Sequence, residues 1–163
     1  MALRKVVTKE DPILRKKSRE IEKFDGKLWM LLDDMAETMY DQDGCGLAAV
    51  QVGILRRAVV MDVGEGIIEL INPVIISQEG EQEAYEGCLS FPGENGMTIR
   101  PAVVKVKAQN RNGQWCVYKG EELKARCFCH EIDHLDGVLF IDRLKPSSEN
   151  ETEEKTSDNG EDK

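Results

Sequence analysis

Basic charge is in short supply in this chain: 22 lysines and arginines stand against 31 aspartates and glutamates, a formal net charge of -9 at pH 7. That balance argues against a surface built for nucleic acid, whose affinity comes mainly from cations that neutralise phosphates. Long apolar runs are missing too. No stretch approaches the roughly 20 residues needed to cross a bilayer, and the opening Met-Ala-Leu-Arg-Lys-Val-Val-Thr carries no apolar leader core. A cytoplasmic protein with no membrane partner is expected. The five cysteines (Cys45, Cys88, Cys116, Cys127, Cys129) are odd in number and irregular in spacing. That argues against a disulfide framework and leaves thiols or metal ligands. Histidine, with two copies, is as scarce as tryptophan.

What is present suits one domain, since 163 residues with 40% apolar content can fill a single core. Residues 146 to 163 contain no apolar side chain with which to pack. They read as a disordered, solvated acidic tail behind a catalytic domain covering residues 1 to 145. Direct nucleic-acid binding by such a tail is not expected.

Asp11-Pro12-Ile13-Leu14-Arg15 reads as a short capped helix with proline in its first turn. Asp25 is a plausible N-cap for a longer helix from residue 27 to about 41, because Leu28, Leu31, Leu32, Met35 and Met39 recur at helical spacing. Gly44 and Gly46 are expected to end it. Residues 57 to 63, 67 to 77 and 103 to 108 are runs rich in Val and Ile between Gly, Pro and Asn signals, and predict strands. Asn110-Arg111-Asn112-Gly113 has the chemistry of a hairpin turn into a further run, 114 to 118. A last helix is expected over about 121 to 136, with Gly137 as its stop. The expected fold class is α+β, with mostly antiparallel strands packed around that C-terminal helix.

The two histidines lie in this helix as His130-Glu131-Ile132-Asp133-His134. Their spacing puts both imidazoles on one helix face, one turn apart, with Glu131 beside them. A helix holds a divalent metal and a general base together in this way. The alternative is a pair of helix-face histidines with ordinary hydrogen bonds. A metal needs a third ligand from elsewhere, and Cys88 in Glu86-Gly87-Cys88-Leu89-Ser90 is the best candidate, because a thiolate binds strongly and the flanking glycine permits close approach. The competing reading of Cys88 is a buried core thiol. Cys127 and Cys129 are weaker rivals, since they share the helix of the histidines. In Gly44-Cys45-Gly46-Leu47-Ala48-Ala49-Val50-Gln51, small residues let backbone run close to a ligand, and Gln51 can offer an amide N–H to an oxygen on which charge develops.

Taken together and in this order, the segments from Gly44 to Gln51, Glu86 to Ser90 and His130 to His134 resemble the three motifs of the peptide deformylases, Gly-x-Gly-Leu-Ala-Ala-x-Gln, Glu-Gly-Cys-Leu-Ser and His-Glu-x-x-His. Arg100-Pro101 and the run from His134 to Phe140 extend the similarity, which covers about residues 1 to 145. The resemblance implies removal of the formyl group from N-formylmethionyl nascent polypeptides, with release of formate. It implies Cys88, His130 and His134 as metal ligands and Glu131 as acid and base. Gln51 and the backbone N–H of Leu89 would steady the oxyanion, and Gly46 would shape the floor of the substrate groove. One divalent metal per chain is expected, Fe2+ natively, with Zn2+ or another divalent ion as a substitute. Methionine preference implies an apolar pocket, assigned to Ile132 and Phe128, with Leu89 and Phe91 as other wall residues. Two departures stand out: Cys129 occupies a position where the family commonly has Gln, and the acidic tail would be repelled by ribosomal RNA. Ribosome contact is therefore not supported.

Two rivals use the same helix. A zinc peptidase would take a downstream third ligand, such as Asp136 or Asp142, and a non-enzymatic zinc module would need no base.

Overall fold

The computed structural model describes residues 2–146. The assigned tail lies, from residue 147 onward, outside the described residues.

Strand β2 (Ala58–Met61) explains the layering, since all four of its side chains are buried. A strand buried on both faces needs a covering layer on each side. Ala58 and Val60 pack with Leu28, Leu32, Met35 and Met39 of helix α1 (Gly26–Asp41), whereas Val59 and Met61 pack with Ala125, Phe128 and Leu135 of helix α2 (Leu123–Leu135). The period-2 alternation of the strand thus assigns one helix to each face.

The central sheet has the order β1-β2-β3-β6-β7, with β1 (Gly46–Ala48), β3 (Ile68–Glu79), β6 (Val103–Gln109) and β7 (Trp115–Glu121). Every pairing in it is antiparallel. A separate antiparallel hairpin joins β4 (Gln82–Cys88) to β5 (Phe91–Arg100). The fold is α+β, built largely of antiparallel strands around the C-terminal helix, as expected. Among the described residues no helix is long and apolar enough to cross a membrane.

Local chemistry accounts for the boundaries. Asp25 caps α1 by accepting from the Leu28 N–H at 3.3 Å. That helix ends at Asp41, earlier than the glycines expected to stop it; Gly44 closes the turn behind it by donating to Met39, and Gly46 opens β1. Gly113 adopts φ +83° in the β6–β7 turn, where Asn110 Oδ1 accepts from the backbone of Asn112 and Gln114. Gly137, at φ +75°, follows α2 and abuts the Arg15 carbonyl, so a Cβ there would lie 2.5 Å from that oxygen.

The β4–β5 hairpin was not foreseen. Gln82-Glu83-Ala84-Tyr85-Glu86-Gly87-Cys88 has no apolar alternation, and β5 contains Pro92, Gly93 and Gly96. Its strands carry buried polar side chains (Glu86, Thr98, Arg100), so the alternation test that finds half-apolar strands passes over them.

Candidate active site

Three elements meet over the inward face of α2. The hairpin β4–β5 turns at Leu89 and Ser90, which leaves Cys88 at the very end of β4, paired with Phe91. Helix α2 presents His130 and His134, whose rings lie 4.9 Å apart. Strand β1 and the 3-10 turn Ala49–Val52 bring Gln51 in from the third side.

Cys88, His130 and His134 each offer a donor atom, and these atoms all lie within 4.8 Å of one another. Cys88 Sγ is 3.3 Å from His134 Nε2. Tetrahedral ligands on bonds of about 2.0–2.3 Å sit roughly 3.5 Å apart, so this spacing suits a shared divalent ion. The chemistry of the donors agrees, because one soft thiolate and two imidazoles match a borderline transition metal. Cys127 and Cys129 take no part in the triad.

The ring of His130 is oriented from behind. Its Nδ1 is hydrogen-bonded to Glu86 Oε2. Burial works against the charge of Glu86, but hydrogen bonds with His130 and Arg100 outweigh it and hold the carboxyl down to about 2. An ionised carboxylate can only accept, so Nδ1 carries a proton. Burial works against a charge on His130, but Glu131, Cys88 and Glu86 outweigh it and hold the imidazole well above its ordinary value, so a metal at Nε2 would bind by displacing the second proton. Arg100 Nη2 donates to Glu86 Oε2 at 2.6 Å and Thr98 Oγ1 to Glu86 Oε1 at 2.7 Å. From Arg100 the network runs on to Asp133 at 2.6 Å, where Arg143 also pairs. Burial pushes His134 down, keeping that imidazole neutral as metal binding also demands. Its Nδ1 is buried without a partner among the described residues.

Glu131 is buried, and its Oε1 has no hydrogen-bond partner among the described residues. Burial pushes its carboxyl up to about 8. Gly46 lies directly against it: a Cβ at that position would fall 2.5 Å from Glu131 Oε2. The Gln51 amide is fixed at both ends, with Oε1 accepting from the Ala48 N–H at 3.0 Å and Nε2 donating to Ser90 Oγ at 3.1 Å. The same Nε2 faces Cys88 Sγ at 3.5 Å. A cavity of about 700 Å³ opens over these groups, and Gly46, Gln51, Cys88, Leu89, His130 and Glu131 contribute to its lining.

Of the residues proposed from sequence, Phe128 and Ile132 are not brought to this cavity. Both are buried in the core between α2 and the sheet. Each lies two residues from His130 along the helix, about 200° round it, so although near in sequence they sit on the opposite face. The apolar lining comes from Leu89, Phe91 and Leu123. The sequence reading also missed the working parts behind His130. In the sequence Glu86 and Arg100 are motif letters and Asp133 a residue of the histidine segment, and nothing there gives them a role.

One thiolate, two imidazoles and a buried carboxyl beneath an open cavity make up the site of a metal-dependent hydrolase. Comparison with known proteins makes the class specific. A model of the polypeptide deformylase family matches residues 3–150. The chain is 58% identical to a peptide deformylase of Alkaliphilus metalliredigens over 144 residues, 88% of this chain and 98% of that one. Against a peptide deformylase of Caldicellulosiruptor bescii the identity is 56%, covering 96% and 95% of the two chains. The crystal structure of peptide deformylase from Thermotoga maritima superposes with a TM-score of 0.87 at 46% identity, covering 88% of this chain and 99% of that one. A peptide deformylase from Ehrlichia chaffeensis in complex with actinonin gives a TM-score of 0.87 at 38% identity, covering 96% of each. The chain belongs to the peptide deformylase family, metal-dependent hydrolases that remove the N-formyl group from nascent peptides.

Proposed function

We propose that Cys88, His130 and His134 hold one divalent ion, that Glu131 is the acid and base of deformylation, and that Gln51 and the Leu89 N–H stabilise the oxyanion. The observation that carries this reading is the convergence of the three donor atoms within 4.8 Å, beside a buried carboxyl oxygen with no partner among the described residues. When bound, the ion supplies Lewis acidity that lowers the pKa of water and polarises the formyl carbonyl.

The chain's own groups supply the rest. Glu131 accepts a proton from the attacking water and returns it to the leaving amine nitrogen, giving formate and a free N-terminus; a carboxyl shifted toward neutral pH suits both transfers. Gln51 Nε2, held in place through Ala48 and Ser90, is preorganised to donate where negative charge develops, and the N–H of Leu89 follows the ligand sulfur directly. Strand β1 is the last strand at its end of the sheet, so an extended peptide can add to its outer edge through main-chain hydrogen bonds. Gly46 keeps the floor low enough for that backbone, while Leu89, Phe91 and Leu123 give an apolar wall for methionine.

Our reading takes the substrates to be N-formylmethionyl nascent chains in the cytoplasm and the native ion to be Fe2+. Oxidation of iron and thiolate makes such a centre decay in air and persist under anaerobic handling. Full stable activity in air with stoichiometric zinc contradicts the iron assignment. The role of Glu131 is tested with Glu131→Gln in a formate-release assay on formyl-Met-Ala-Ser. The variant is expected to retain metal and lose turnover by a factor on the order of 10²–10⁴. Unchanged turnover, or cleavage of internal peptide bonds by the parent enzyme, overturns the assignment.

A further inference from the structure

Two thiols that the reaction does not use face each other on the cavity floor. Cys45, exposed at the end of the loop from α1 into β1, places its Sγ 3.9 Å from the Sγ of Cys127, a buried residue of α2 lying 82 positions away in the chain. Cys127 Sγ also lies 3.5 Å from the Cys45 carbonyl oxygen. Both residues line the catalytic cavity together with His130 and Glu131. The intervening glycine shows how close they are to the chemistry: a Cβ on Gly46 would meet Glu131 Oε2 at 2.5 Å and Cys127 Sγ at 2.9 Å.

We infer that Cys45 and Cys127 are a peroxide-oxidisable dithiol, whose closure to a disulfide reversibly shuts the active site. The sulfurs are already in van der Waals contact, and side-chain rotation with a small shift of the exposed loop brings them to the bonding distance of about 2.05 Å. The exposed partner is the one a peroxide reaches first. The hydrogen bond with Cys127 holds the Cys45 thiol below the ordinary thiol value, which supports attack by its thiolate.

The chemistry balances with a hydroperoxide as oxidant. The Cys45 sulfur attacks one peroxide oxygen, an S–O bond forms as the O–O bond breaks, and hydroxide leaves to become water. Cys127 sulfur then attacks the sulfenic sulfur, the S–S bond forms, and the oxygen departs as a second water carrying the thiol proton. Two thiols lose two electrons and one hydrogen peroxide becomes two waters. The closed disulfide pulls residue 45, and with it Gly46, across the floor beside Glu131. Its effect on turnover rests on the deformylation reading; the cross-link itself does not.

The test treats zinc-loaded enzyme, whose metal is redox-inert, with a few equivalents of hydrogen peroxide. Free thiols are then alkylated, the protein is digested, and peptides are mapped by mass spectrometry beside formate release before and after dithiothreitol. A linked peptide joining Cys45 to Cys127 is expected, with activity falling on the order of tenfold or more and returning on reduction. Cys45→Ser, measured relative to its own untreated rate, is expected to lose the reversible part of the response. Treated protein in which Cys45 and Cys127 are both still alkylated overturns the cross-link, whatever its activity. A linked peptide without loss of formate release overturns the control of turnover and leaves the deformylation reading intact. Equal reversible loss in Cys45→Ser assigns the response to another thiol and overturns the proposal.

Discussion

Glu86 and Arg100 form an ion pair at 2.6 Å in which neither side chain is more than 5% exposed. The pair sits behind His130, so it serves both the fold and the metal. Removing one partner of a buried pair strands the other charge, at a cost of about 3–5 kcal/mol. Arg100→Met, which leaves both Glu86 and Asp133 without their shared cation, is expected to lower unfolding stability by that amount in urea titrations. Disturbing the carboxylate behind a ligand histidine costs on the order of 10–100-fold in metal affinity, read by competition with a chelator. Unchanged metal affinity in a folded Arg100→Met protein shows that the network is structural only.

Gly46→Ala tests the contact between β1 and the acid/base. The added methyl group meets Glu131 Oε2 at 2.5 Å and Cys127 Sγ at 2.9 Å, and both belong to a buried helix with little room to yield. A displacement of about 1 Å at the reacting groups costs roughly 10²-fold. The expected outcome is a fall of that order in kcat/KM with metal content retained. Full activity in the variant means that Glu131 moves aside freely and that its position is not set by Gly46.

The pH dependence of stability follows from Glu86. Its folded carboxyl is held at about 2, below the ordinary value of 4.5. A depressed carboxyl contributes stability that is fully present above its unfolded pKa and is lost as pH falls through the folded one. The difference in urea midpoint between the parent and Glu86→Gln is therefore expected to be largest near neutral pH and to shrink from about pH 4.5 toward pH 2. A difference that is constant across that window shows that Glu86 is not ionised more readily in the folded state.

The uneven legibility of this protein in its sequence has a physical basis. His130, Glu131 and His134 were readable because helical periodicity is local, and α1 was readable because Asp25 and the Leu and Met spacing mark its start and inner face. Cys88 was reachable through its thiol chemistry and flanking glycine, although nothing in its own segment reports that β4 ends beside α2. The Glu86–Arg100–Asp133 network joins residues 14 and 33 positions apart through side-chain contacts that leave no periodic trace. Phe128 and Ile132 show the opposite failure, since a helical wheel turns them toward the sheet although they adjoin the site in sequence. Cys45 and Cys127, unremarkable apart, acquire meaning only when the fold sets them face to face.

The proposed chemistry depends on one sulfur and two imidazole nitrogens sharing an ion, and X-ray absorption at the metal edge of zinc-loaded enzyme reads that shell directly. The expected spectrum has one sulfur at about 2.3 Å and two nitrogens at about 2.0–2.1 Å, with a further light scatterer from solvent, and the sulfur is lost in Cys88→Ala. A shell with no sulfur, or one closed by four protein ligands, contradicts it.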